Sequence, residues 1–267
     1  MTREELYLQM KAKGSMLCVG LDTDYAKIPE CVKAGRRVGE AVLEFNRRII
    51  DATASHCVAY KPNLAFYEAL GIEGLSVLDK TVDYLRTNHP EQFLIADAKR
   101  GDIGNTAKMY ARSLFSTFDF DAVTISPYMG SETVTPFLEY PGRYAIVVAL
   151  SSNSSSADFQ TALKDGKPLY RVVMERMMEI STPENMMFVV GATKADKLKE
   201  IRQFCPDNFF LVPGVGAQGG SAEEVMSNGA NDKGGLLINS SRGVLYASAG
   251  EDFAQAAALS AAATARF

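Results

Sequence analysis

Histidine is scarce: only His56 and His89 occur, and they share no ligand spacing. A histidine-rich metal site and a Ser-His-Asp triad are therefore not expected, and His56 reads as a helix-end or packing residue. The four cysteines, Cys18, Cys31, Cys57 and Cys205, are scattered without any Cys-x-x-Cys pair. That usage points to reduced thiols in a cytoplasmic protein rather than a disulfide framework. No apolar run is long enough to span a bilayer, and Met1-Thr2-Arg3-Glu4-Glu5 lacks the apolar core of a signal peptide. The sequons Asn153-Ser154-Ser155 and Asn239-Ser240-Ser241 then read as chance. Positive charge is not in excess either. The net charge of −4 argues against nucleic acid or a membrane surface as partner. It leaves open an anionic small molecule held by a local basic spot.

What the chain does have is an unbroken alternation of apolar strands and amphipathic helices over its 267 residues, 47% of them apolar. Strands are expected at Met16–Leu21, Cys57–Pro62, Leu94–Asp97, Ala122–Ser126, Tyr144–Leu150, Met187–Val190, Phe209–Pro213 and Gly235–Asn239. Helices are expected near the N-terminus around Leu6 and Met10, then at Arg37–Ala54, Gly74–Asn88, Thr106–Phe115, Thr133–Leu138, Pro168–Ile180, Lys194–Phe204, Glu223–Ser227 and Phe253–Ala265. Roughly eight strand–helix units without a linker predict an α/β fold, a (β/α)8 TIM barrel forming a single domain over 1–267. A doubly wound open sheet is the alternative. Its usual dinucleotide fingerprint is missing, since Gly20-Leu21-Asp22 replaces a glycine-rich turn after the first strand.

The stretch Leu94-Ile95-Ala96-Asp97-Ala98-Lys99-Arg100-Gly101-Asp102-Ile103 concentrates the chemistry. In an extended chain Asp97 and Lys99 share one face, Gly101 permits a sharp turn, and Asp102 falls on the loop beyond. A lysine set between carboxylates at a strand end is costly to desolvate. On its own the stretch reads equally well as a surface salt bridge. The other strand ends favour a site: Asp22 follows the first, Lys61 ends the second, Ser152 lies past the fifth, Gln218 past the seventh and Arg242 past the eighth. In a barrel such ends converge on one face.

After the seventh strand, Pro213-Gly214-Val215-Gly216-Ala217-Gln218-Gly219-Gly220 precedes a helix, so backbone N–H groups and a helix N-terminus can face an anion. Ser240-Ser241-Arg242-Gly243 adds an arginine suited to phosphate oxygens. Together they point to a phosphorylated substrate. The serines Ser151 to Ser156 have no histidine base. Met174, Met177, Met178, Met186 and Met187 read as packing, and Arg36-Arg37 and Arg47-Arg48 as solvated helix positions.

These residues resemble the orotidine 5′-phosphate decarboxylase family, particularly its longer bacterial (type 2) branch, over nearly the whole chain. The most specific element is Asp97-Ala98-Lys99-Arg100-Gly101-Asp102-Ile103, similar to the family's Asp-x-Lys-x-x-Asp-Ile signature. Lys61-Pro62 and Pro213-Gly214-Val215-Gly216-Ala217-Gln218-Gly219 agree in order and context. The resemblance implies decarboxylation of orotidine 5′-phosphate to UMP in pyrimidine synthesis, without cofactor or metal. It implies a catalytic Lys61-Asp97-Lys99-Asp102 network in a homodimer, with Asp102 and Thr106 reaching the neighbouring site. Asp22 and Lys61 would hold ribose hydroxyls, and Ser152 would face the pyrimidine. Gln218 and Arg242 would take the phosphate, with Pro213, Gly219 and Ser241 in the same binding set. Two departures stand out. Gly104 occupies a position where many members carry proline, and Ser154-Ser155 follows Asn153 where proline and glycine are expected.

Three rivals remain at this level. The nearest is a related barrel decarboxylase or aldol-type enzyme acting on sugar phosphates, a group whose decarboxylases use a divalent metal at a similar Asp-x-Lys motif. A lysine Schiff base at Lys61 or Lys99 is disfavoured by flanking carboxylates that keep the amine protonated. A non-catalytic barrel that senses nucleotide phosphate is the third.

Overall fold

The computed structural model describes residues 1–215, 220–264 and 266, without the side chains of Lys194 and Ala195. Eight segments rich in Val, Ile, Leu and Ala form parallel strands: β1 Leu17–Leu21, β2 Ala59–Pro62, β3 Phe93–Arg100, β4 Ala122–Ile125, β5 Tyr144–Leu150, β6 Met186–Val190, β7 Phe210–Pro213 and β8 Leu236–Ser240. Each pairs with its neighbours in chain order, and β1 closes on β8 through Leu17↔Ile238, Cys18↔Asn239 and Val19↔Ser240. Strands buried on both faces have no need of polar alternation, which is why they read as continuous apolar runs. The doubly wound alternative is therefore set aside.

The connecting helices are α1 Val38–Thr53, α2 Gly71–Asn88, α3 Gly104–Arg112, α4 Thr135–Leu138, α5 Leu169–Glu179, α6 Ala195–Phe204, α7 Ala222–Gly229 and α8 Phe253–Ala263. In α1, Val42, Phe45 and Ile49 fall on one buried stripe, as their helical spacing requires. A further helix, Arg3–Lys13, opens the chain. Thr2 and Glu5 cap each other's backbone N–H groups there, and Gly14 ends it at φ +58°. Helix α3 starts two residues earlier than expected and continues over Ser113–Thr117 as a wider π-type turn. Helix α8 ends at Ala263, and Ala265 lies outside the described residues. The methionines Met174, Met177, Met186 and Met187 are buried in the core. Cys18, Cys57 and Cys205 are buried and Cys31 is exposed, all four as free thiols. No helix among the described residues is long and apolar enough to cross a membrane.

At the end of the barrel where β7 begins, Arg202 of α6 serves as an internal tie. Its guanidinium donates to the carbonyls of Cys205, Pro206, Asn208, Gly229 and Gly235 at 2.8–3.1 Å. It also lies 3.9 Å from the Phe210 ring centroid. Burial pulls its pKa down to about 10. Five carbonyl dipoles, rather than a carboxylate, offset the desolvation of this cation.

Candidate active site

The charged residues meet where the carboxyl ends of β1, β2 and β3 lie side by side. Lys61 is the next-to-last residue of β2, and its neighbours on both sides bury it to 3% exposure. Its ammonium lies 2.9 Å from Asp97 Oδ2 and 3.9 Å from Asp22 Oδ1. Lys99 approaches the other oxygen of the same carboxylate, with Nζ 2.6 Å from Asp97 Oδ1. One buried carboxylate thus bridges two ammonium groups. Burial alone would raise the Asp97 pKa, but Lys61 and Lys99 outweigh it and hold the carboxyl well below the usual range. Burial likewise works against the Lys61 charge, and the Asp97 and Asp22 carboxylates reverse that and hold its pKa above the ordinary lysine value.

The pairing of Asp97 with Lys99 does not arise from simple strand alternation. Ala96 pairs with Val123 and Arg100 pairs with Ile125, so the segment 97–99 bulges against the single residue Thr124. Lys99 takes φ +46°, a left-handed conformation that costs a side chain roughly 1–2 kcal/mol. Thr124 compensates on both counts. Its Oγ1 accepts from the Lys99 N–H at 2.9 Å and donates to Asp97 Oδ1 at 3.0 Å. The expected sharp turn at Gly101 is also revised. What requires glycine is close approach, since a Cβ would lie 2.8 Å from the Ser126 carbonyl oxygen. The left-handed turn falls instead at Gly104, at φ +55°.

Asp22 is held through its backbone. Tyr246 Oη accepts from the Asp24 N–H at 2.8 Å and donates to the Asp22 carbonyl at 3.1 Å. Tyr67 Oη donates to the Leu21 carbonyl at 3.2 Å. Thr23 Oγ1 donates to Asn46 at 2.6 Å, and Asn46 in turn donates to Tyr67 and Thr81. Among the described residues, neither Asp22 Oδ1 nor Asn239 Oδ1 at the end of β8 has a hydrogen-bond donor. Both line a cavity of about 140 Å³ together with Lys61, Asp97, Pro213, Ser241 and Arg242. A ligand offering hydroxyl donors would satisfy both acceptors. Gly20 makes room for this corner, because a Cβ there would sit 1.9 Å from Ser241 Oγ. Val215 and Gly220 bridge each other, so the two ends of the seventh-strand loop close together.

Of the residues expected from sequence, Asp22, Lys61, Asp97, Pro213, Ser241 and Arg242 share the cavity, and Lys99 adjoins it through Asp97. Ser152 lies against Gly191 at the end of β6, and its carbonyl accepts from Thr193 at 2.9 Å. Asp102 makes no ion pair with Lys61 or Lys99 of its own chain; its Oδ1 accepts from the Ile103 N–H at 2.8 Å. Thr106 is exposed on α3. Gln218 and Gly219 lie outside the described residues. Sequence reading passed over Thr124 and Asn239. Thr124 is a lone polar residue in an apolar strand, and Asn239 opens the polar end of one, which is the available signal. Among the described residues no group of three or more His, Cys, Asp and Glu side chains could hold a metal ion.

A closed (β/α)8 barrel whose carboxyl-end mouth gathers two lysines, two aspartates and an arginine has the layout of the barrel enzymes that act on phosphorylated substrates. Comparison with known proteins narrows this. The family model for orotidine 5′-phosphate decarboxylase / HUMPS matches residues 15–257. A protein of Phocaeicola vulgatus named orotidine 5′-phosphate decarboxylase is 51% identical over 258 residues, covering 96% of this chain and 94% of that one. One of the same name from Parabacteroides distasonis is 53% identical, covering 96% and 91%. Among solved structures, Leishmania donovani OMP decarboxylase superposes with a TM-score of 0.80 at 35% identity, covering 96% of this chain and 94% of that one. The chain belongs to the orotidine 5′-phosphate decarboxylase / HUMPS family.

Proposed function

We propose that this chain decarboxylates orotidine 5′-phosphate to UMP in pyrimidine synthesis, with Lys99 as the group that meets the reacting carbon. The observation that carries the reading is the shared carboxylate: Lys61 and Lys99 bind opposite oxygens of buried Asp97. The names of relatives at about half identity over nearly full length support the substrate.

Loss of CO2 from C6 leaves a carbanion that the pyrimidine ring does not readily delocalise. Fixed charge must supply the stabilisation. Lys99 is suited to this because its ammonium is anchored by Asp97 yet its side chain remains 55% exposed. It lies against the developing negative charge and then delivers its proton to C6, leaving a neutral amine that solvent reprotonates. Lys61 and Asp22 hold ribose hydroxyls, Ser152 faces the pyrimidine, and Arg242 with Ser241, Pro213, Gln218 and Gly219 receives the phosphate. The reading invokes no cofactor. It places the enzyme in the cytoplasm, in keeping with its free cysteines.

Asp102 completes the network from a neighbouring subunit of a homodimer, with Thr106 beside it. That Asp102 pairs with neither lysine of its own chain supports this reading, as do the exposed apolar side chains Ile103, Met109, Tyr128 and Met129 on nearby segments. The test mixes Lys99→Ala with Asp102→Ala subunits, allows exchange and follows decarboxylation. One site of each mixed dimer then carries neither defect. Random exchange should restore about a quarter of parental activity. No recovery after proven exchange would put Asp102 in its own subunit's site.

A further inference from the structure

The three strands that bring Asp22, Lys61 and Lys99 together converge on one short element that no sequence motif marks. Helix Leu64–Glu68 begins directly after the β2 end, capped by Asn63 Oδ1, which accepts from the Ala65 N–H at 3.2 Å. Asn63 also bridges in parallel to Asp97. From this helix Tyr67, buried, donates to the Leu21 carbonyl at 3.2 Å, one residue before Asp22. The next residue, Glu68, pairs with Arg100, one residue after Lys99. Arg100 also donates to the Ala98 carbonyl at 3.1 Å, and so straddles the bulge that turns Lys99 left-handed. The helix cannot slide, because Gly74 of α2 lies against it: a Cβ there would sit 1.8 Å from the Tyr67 carbonyl oxygen.

We propose that helix Leu64–Glu68 is a clasp that sets the spacing of Asp22, Lys61 and Lys99, with Tyr67 and Glu68 as its positioning residues. The proposal rests on the decarboxylase reading for its kinetic consequence only. Tyr67 acts on Asp22, which binds substrate, whereas Glu68 acts through Arg100 on Lys99, which meets the reacting carbon. The two should therefore fail differently. The Glu68–Arg100 pair is partly exposed, at 41% and 25% for the two side chains, so it contributes little to stability.

The experiment compares Tyr67→Phe, Glu68→Ala, Arg100→Ala and the Glu68→Ala/Arg100→Ala pair with the parent. Glu68→Ala should lower kcat about tenfold with KM within about twofold. The double variant should be no worse than Arg100→Ala alone, since that substitution already removes the Glu68 link along with the bond to Ala98. Tyr67→Phe keeps the ring and loses the hydroxyl, and should raise KM about fivefold with a smaller change in kcat. Parental kinetics in Glu68→Ala and Tyr67→Phe, or losses that track the unfolded fraction of each sample, would overturn the clasp. A structure of Glu68→Ala reads the claim without turnover: the Lys99 φ should leave the left-handed region, and an unchanged φ overturns the proposal. Failure of the parent to convert orotidine 5′-phosphate would instead strike the functional reading, leaving that structural readout to decide the clasp.

Discussion

At the scale of single residues, the site depends on backbone exceptions more than on unusual side chains. Lys99 holds φ +46° because Thr124 takes its N–H and Arg100 spans the bulge. Strain of this kind persists only where the surroundings over-determine it. Gly20 is the complementary case, a residue present for what it omits. Its missing side chain admits Ser241, whose successor is Arg242. Gly20→Ala should push Ser241 off β1 and displace the arginine. The expected outcome is a KM for the phosphorylated substrate raised about tenfold or more, with kcat less affected. Steady-state kinetics on folded protein check this, and a parental KM would mean the corner is softer than its packing suggests.

At the scale of elements, the strands were legible and the joints between them were not. Apolar runs such as Tyr144–Leu150 and the Pro at the end of β2 fix segments to within a residue or two, because burial on both faces leaves a local signature. The Asp97–Lys99 proximity was also legible, though for an incomplete reason: alternation predicts the shared face, and the bulge opposite Thr124 produces it. Neither the bulge nor helix Leu64–Glu68 has a sequence signal of its own, since both depend on partners brought in by barrel closure. Arg202 is another such joint. It looks like an ordinary charged helix residue, yet five backbone carbonyls converge on it. Arg202→Met should cost about 2–4 kcal/mol, because the carbonyls lose their donors in a buried setting. Chemical denaturation measures the loss, and kcat and KM of the folded fraction should stay near parental values, since Arg202 lies at the opposite end from the charged mouth.

At the scale of the whole molecule, closing the barrel places β8 beside β1 and so puts Asn239 and Ser241 next to Asp22 and Lys61. It also couples the site's charge to global stability. The lysines hold the Asp97 pKa below its ordinary value against the opposing effect of burial. Its charge therefore stabilises the fold at pH above about 4, the unfolded aspartate value, and that contribution is lost as pH falls below it. Between about pH 5 and pH 3 the parent should lose more unfolding free energy than Asp97→Asn does. Denaturant titrations at each pH provide the comparison, and equal slopes would count against the coupling.

The left-handed turn at Gly104 limits how this protein can exchange parts with its relatives. A proline ring cannot adopt φ +55°, so proline cannot be introduced there as a single letter. Grafting between relatives would have to move the segment from Asp102 through Thr106 as one piece, with its own path into α3. Divergence along this stretch is accordingly expected to proceed by whole loops.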